Sequence, residues 1–117
     1  MKVYLAQIDT TVGDIEGNLS KVLAAVEQAR ARKADLAVFP ELTLTGYPPR
    51  DLLERGSFVR ANLAALERAA RAAEGIALVV GYAEPNGSGI GNGLFNAAAW
   101  CEGNRRHDAH RAFISES

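Results

Sequence analysis

Ala34-Asp35-Leu36-Ala37-Val38-Phe39-Pro40-Glu41-Leu42 is the stretch on which the fold turns. Asp35 to Phe39 is short, apolar and rich in strand formers, and such a run reads as a buried strand. Pro40 stops it, because proline has no amide hydrogen for a ladder. Glu41 therefore stands just past the carboxyl end of a strand. In α/β sheets that edge is where ligands bind and reactive groups collect.

Upstream, Val3-Tyr4-Leu5-Ala6-Gln7-Ile8 reads as a first strand, and Asp9 to Gly17 as a loop. Leu19, Val22, Leu23, Val26 and Ala29 then recur with helical spacing and make one apolar stripe. Asp14 or Asn18 is placed to cap this helix, and Arg30, Arg32 and Lys33 suit its carboxyl end. Downstream, Ser57 is placed to cap a second helix with the stripe Val59, Leu63, Leu66, Ala70 and Ala73, and Gly75 marks where it should stop. Ile76 to Tyr82 is a third strand, apolar on both faces, and Leu94 to Cys101 a fourth. The glycine-rich segment Pro85 to Gly93 between them suggests a hairpin or near neighbours. The order β-α-β-α-β-β implies an α/β layered domain with right-handed crossovers at its start. Beyond residue 103, Asn104 to Arg111 shows neither strand alternation nor helical periodicity, so no regular element is expected there.

Composition narrows the function. Thirteen basic and fourteen acidic residues give a net charge of −1, which supplies no electrostatic case for nucleic acid or an anionic membrane. The apolar runs fall far short of the roughly 20 residues that span a bilayer. The lone Cys101 has no internal disulfide partner, which favours a reducing, cytoplasmic setting. A metal site is not expected, since His107, His110, Cys101 and Asp108 match no standard ligand spacing. Gly87 to Gly93 satisfies no G-x-G-x-x-G register and leads into a strand, so a phosphate loop is not expected.

Glu41 carries the clearest chemistry. Pro40 fixes its approach, Gly46 permits backbone geometry closed to other residues, and Pro48-Pro49 stiffens the exit. Flanking Phe39 and Leu42 would desolvate the carboxylate and raise its pKa toward the range useful to a general base. A loop-anchoring or surface glutamate is the alternative.

Several ordered segments together resemble the nitrilase, or carbon–nitrogen hydrolase, superfamily. They are Ala6-Gln7, Val12-Gly13-Asp14-Ile15-Glu16-Gly17-Asn18, Ala34 to Leu42, and Gly46-Tyr47-Pro48-Pro49. Pro49-Arg50-Asp51-Leu52-Leu53 and Asn92-Gly93-Leu94-Phe95-Asn96-Ala97-Ala98-Ala99 resemble, within it, the amino-terminal glutaminase domain of glutamine-dependent NAD synthetases. The resemblance covers residues 1–103 and implies part of an αββα four-layer sandwich. It also implies a Glu-Lys-Cys triad, in which the glutamate is general base to a cysteine that attacks an amide carbon and the lysine supports the oxyanion.

Glu41 matches the family glutamate. The family lysine would fall near Ala112, beside Arg111, and neither is lysine; the nucleophilic cysteine would lie beyond Ser117. Cys101 falls where the family has an ordinary apolar residue and reads as a small buried hydrophobe rather than a nucleophile. Tyr47 is balanced between lining a substrate pocket and packing. The resemblance further implies glutamine as substrate, no cofactor for the glutaminase part, ATP and magnesium at a separate synthetase domain, and a homo-oligomeric full-length protein.

Residues 1–103 are thus expected to form the front part of the glutaminase domain. Residues 104–117 are expected to form an atypical tail, the mark of a chain cut short or altered by a reading-frame change near residue 104. The chain alone is expected to be inactive. Two other classes remain open: another amidase or nitrilase of the superfamily, which the Pro-Pro-x-Asp-Leu-Leu run disfavours, and a catalytically inactive module that pairs with a fuller chain.

Overall fold

A computed structural model describes residues 1–46, 56–85, 94–103 and 105–113. In chain order the elements are β1 (Val3–Leu5), α1 (Ile15–Ala31), β2 (Leu36–Val38), α2 (Gly56–Arg71), β3 (Ala77–Pro85), β4 (Leu94–Glu102) and β5 (Arg105–Phe113). Among the described residues the strands form one sheet in the order β1-β2-β3-β4-β5. The β1–β2 and β2–β3 pairs are parallel, and β3–β4 and β4–β5 are antiparallel. The alternation expected at the start and the pairing expected for the third and fourth strands both hold.

Each helix forms for local reasons and is kept by its apolar stripe. The Asp14 carboxylate accepts from Gly17 N at 3.0 Å, and Glu16 and Arg30 sit at the ends that favour their charges. Leu19, Val22, Val26 and Ala29 turn inward, as the spacing predicts, Leu23 of the same stripe is partly buried against the core, and Ile15 joins them. At the carboxyl end Lys33 adopts a left-handed φ of 58°. Its N–H bonds Arg30 O at 2.9 Å while Ala34 N bonds Ala29 O at 3.0 Å, a Schellman closure with lysine where glycine is usual. In α2 the buried residues are Val59, Asn62, Ala65, Leu66, Ala69 and Ala70. Ser57, expected as its cap, lies inside its first turn. Gly75, with φ 72°, turns the chain into β3. No described helix is long and apolar enough to cross a membrane.

Both helices pack on one face of the sheet. Leu78, Val80 and Tyr82 of β3 face them, and their register partners Cys101, Ala99 and Ala97 on β4 complete the same apolar surface. On the opposite face Val79 and its partner Trp100 are half-buried, as is Ala98 beside Gly81. One helix layer on one sheet is half of the expected four-layer arrangement.

The absence of a regular element after residue 103 is an expectation the structure corrects. The backbone of 105–113 runs antiparallel to β4, with Glu102 opposite Arg105 and Phe95 opposite Phe113, and one register shift between Ala98 and Ala99. A polar strand needs no apolar alternation at a sheet edge, where backbone pairing supplies the order. Gly103, with φ 59°, makes the tight turn into it.

Candidate active site

The chain leaves β2 through Phe39, whose N–H still bonds Val79 O at 2.9 Å. It then folds into a compact turn over residues 40–46. Gly46 N donates to Leu42 O at 2.9 Å, the Thr43 hydroxyl bonds Pro40 O, and the Thr45 hydroxyl donates to Gly46 O at 3.1 Å. Leu42 and Gly46 both take left-handed backbone, with φ 48° and 79°. For leucine this conformation costs about 1–2 kcal/mol, and it is held because the Leu42 side chain is fully buried.

The turn is wedged between two neighbours. On one side it rests on β3 at Gly81, where a Cβ would lie 2.5 Å from Leu42 N and 2.7 Å from Pro40 O. Gly81 alternates with Val80 and Tyr82, so this contact is on the sheet face turned away from the helices. On the other side it meets the loop between β1 and α1. A Cβ on Gly46 would lie 2.7 Å from Val12 Cα, and Gly13 N donates to Thr45 O at 3.0 Å. Asn18, fully buried, links the same two segments through Thr11 and Leu44.

Glu41 rides on this turn and is exposed. The expected desolvation by Phe39 and Leu42 does not occur in this chain. Both side chains turn into the protein, 6% and 0% exposed, while Glu41 between them points outward. A reversal with left-handed backbone at Leu42 sends adjacent side chains in different directions, so apolar neighbours in sequence do not become neighbours in space. What the turn supplies is a carboxylate on a fixed backbone at the carboxyl end of β2. Such a group can take a proton from a partner brought to it.

Tyr47, weighed as a pocket residue, lies outside the described residues, as do Arg50 and Asp51. Cys101 is fully buried and faces the helices beside Leu78, on the side of the sheet opposite the Glu41 turn. It is a core residue, not a partner for Glu41. The side chains of His107 and His110 are also outside the described set; among the described residues no three His, Cys, Asp or Glu groups converge to hold a metal. Two residues shape the site in ways their place in the sequence does not announce. Gly81 passes for one more residue of an apolar strand. Asn18 reads as a cap, although Asp14 does that work. Its position in the stripe Ile15, Asn18, Leu19, Val22 was the available signal, since a polar residue on a core-facing stripe needs buried partners.

A model of the carbon-nitrogen hydrolase family matches residues 2–111. The glutamine-dependent NAD(+) synthetase of Xylella fastidiosa (strain Temecula1) is 41% identical over 104 residues, which is 88% of this chain and 18% of that protein. Among solved structures, the glutamine-dependent NAD+ synthetase from Acinetobacter baumannii in complex with ADP superposes with a TM-score of 0.80 at 31% identity, covering 89% of this chain and 19% of that one. A Glu-to-Leu mutant of the amidase from Nesterenkonia sp. AN1, with the acetamide moiety of fluoroacetamide added covalently at its active site cysteine, superposes with a TM-score of 0.76 at 27% identity, covering 92% and 40%. The chain thus spans less than a fifth of the synthetases it matches and under half of the amidase. On the family match over residues 2–111, and on the fold it shares with these solved structures, this chain belongs to the carbon-nitrogen hydrolase family.

Proposed function

We propose that this chain forms the front of a glutamine-hydrolysing domain and contributes Glu41 as its general base. The observation that carries this is the turn over residues 40–46, which holds a glutamate at the carboxyl end of a parallel strand in a chain so similar to glutamine-dependent NAD synthetases. In the reaction, Glu41 takes the proton of a cysteine thiol and the thiolate adds to the side-chain amide carbon of glutamine. The tetrahedral intermediate collapses, and the amide nitrogen leaves as ammonia with the proton that Glu41 returns. Water, deprotonated by the same carboxylate, then releases glutamate from the thioester. Cys101 is sealed in the core and no other cysteine exists in the chain, so the thiol comes from outside these 117 residues, and the lysine is not supplied at Arg111 or Ala112, where the resemblance would put it. The chain alone is therefore inactive. On the same reading the ammonia passes to an ATP- and magnesium-dependent domain that amidates deamido-NAD, within a cytoplasmic homo-oligomer. No group described here is assigned to ATP or magnesium.

The likeness to an amidase supports a second reading, hydrolysis of a different small amide. One experiment separates the two. This chain is substituted for the corresponding segment of the Xylella synthetase, and NAD formation is measured with glutamine or with free ammonia. Glu41→Gln should lower the glutamine-supported rate by about 100-fold or more, the usual worth of a general base, and leave the ammonia-supported rate unchanged. Loss of neither rate removes Glu41 from the mechanism. Faster ammonia release from simple aliphatic amides than from glutamine favours the amidase reading.

A further inference from the structure

The amide of Asn18 is fully buried where the first turn of α1 closes, and its oxygen and both of its N–H groups are engaged. Its Oδ1 accepts from Thr11 N at 2.8 Å, and its Nδ2 donates to Thr11 O at 2.9 Å and to Leu44 O at 3.0 Å. One N–H and two carbonyls face it, so the amide fits in one orientation only. Aspartate would present an acceptor to two carbonyls, and an apolar residue would take the side-chain partner from Thr11 N and Leu44 O, while Thr11 O keeps its bond from Asp14 N at 3.1 Å. Thr11 belongs to the loop after β1, and Leu44 lies three residues past Glu41. The same two segments touch at Gly13 N–Thr45 O and at the close approach of Gly46 to Val12.

We infer that Asn18 is a positioning residue for Glu41. It joins residues 11–13 and 40–46 into one body seated on α1, and so fixes where the carboxylate stands without touching substrate. This rests on the reading of Glu41 as a base. The comparison residue is Asn62, also fully buried, which clamps α2 to β3 by bonding both Ala83 N, at 3.1 Å, and Ala83 O, at 2.7 Å. It hydrogen-bonds neither loop.

The test is amide hydrogen exchange on this chain, with the Glu41 carboxyl resonance followed by NMR. Asn18→Ala should speed exchange at Gly13 and Gly46 by about tenfold or more, although neither amide bonds Asn18. It should also move the Glu41 carboxyl resonance. Asn62→Ala should raise exchange around Ala83 and leave Gly13, Gly46 and the Glu41 resonance unchanged. If Asn18→Ala does not fold, exchange of the unsubstituted chain in graded urea decides: Thr11, Gly13 and Gly46 should open together with one urea dependence. Separate openings, or an Asn18→Ala effect equal to that of Asn62→Ala at every site, overturn the inference. None of these readouts needs catalysis, so failure of the glutaminase reading would appear only in the ammonia and NAD assays.

Discussion

Gly81→Ala is the smallest change that asks whether the Glu41 turn rests on β3. The added methyl would sit 2.5 Å from Leu42 N, 2.7 Å from Pro40 O and 3.1 Å from Glu41 C. Ordinary contact begins at 3.4 Å, so the turn must lift by about 0.9 Å at Leu42. All three atoms are backbone and cannot rotate away. β3 is itself held at this point, by its pairing with β4 at Ala98 on one edge and by Leu44 N, which donates to Gly81 O at 3.5 Å, on the other. Gly81 is not among the glycines with left-handed backbone, so alanine brings no conformational strain there. Without the clash it would stabilise by about 0.4–1 kcal/mol through the unfolded chain. Overpacking of this kind costs about 1–3 kcal/mol, so the net expectation is a loss of about 1–2 kcal/mol. Urea unfolding followed through the single tryptophan, Trp100, should show a lower midpoint at unchanged slope. Exchange at the Gly46 amide should rise. In a complete enzyme, on the role proposed for Glu41, a displacement of that size is worth about 100-fold in rate. An alanine variant at least as stable as the parent, with Gly46 equally protected, would refute the contact.

Two further outcomes follow from the same structure. Lys33→Gly should raise the urea midpoint, with a gain of about 0.5–1 kcal/mol, because it relieves a left-handed φ at an exposed site; an unchanged or lower midpoint would count against that backbone. Cys101 should react with a thiol reagent only as fast as the chain unfolds, and rapid labelling of the native protein would contradict its burial.

The layered fold was legible because burial is periodic. The stripes Leu19-Val22-Val26 and Val59-Leu66-Ala70 face a sheet and show it, and Pro40 and Gly75 break the chain where they must. β5 was hidden because backbone pairing with β4, which orders it, leaves no mark in hydrophobicity. Glu41 was legible as a position and misread as an environment, since Phe39 and Leu42 bury themselves without covering it. Asn18 and Gly81 act through shape and backbone partners that only the folded chain brings together.

The strand order has a consequence for how the molecule is made. The sheet runs β1 to β5 in the order of synthesis. Each strand therefore docks on the free edge left by the one before it, and none has to be inserted between two that are already joined. A chain emerging from the ribosome can add to this sheet as it appears, with each closure spanning only the connection just made. The two parallel closures are the slow ones, since Val3 must find Leu36 and Leu36 must find Ala77 before the antiparallel strands add. Among the described strands, β5 is the one added last.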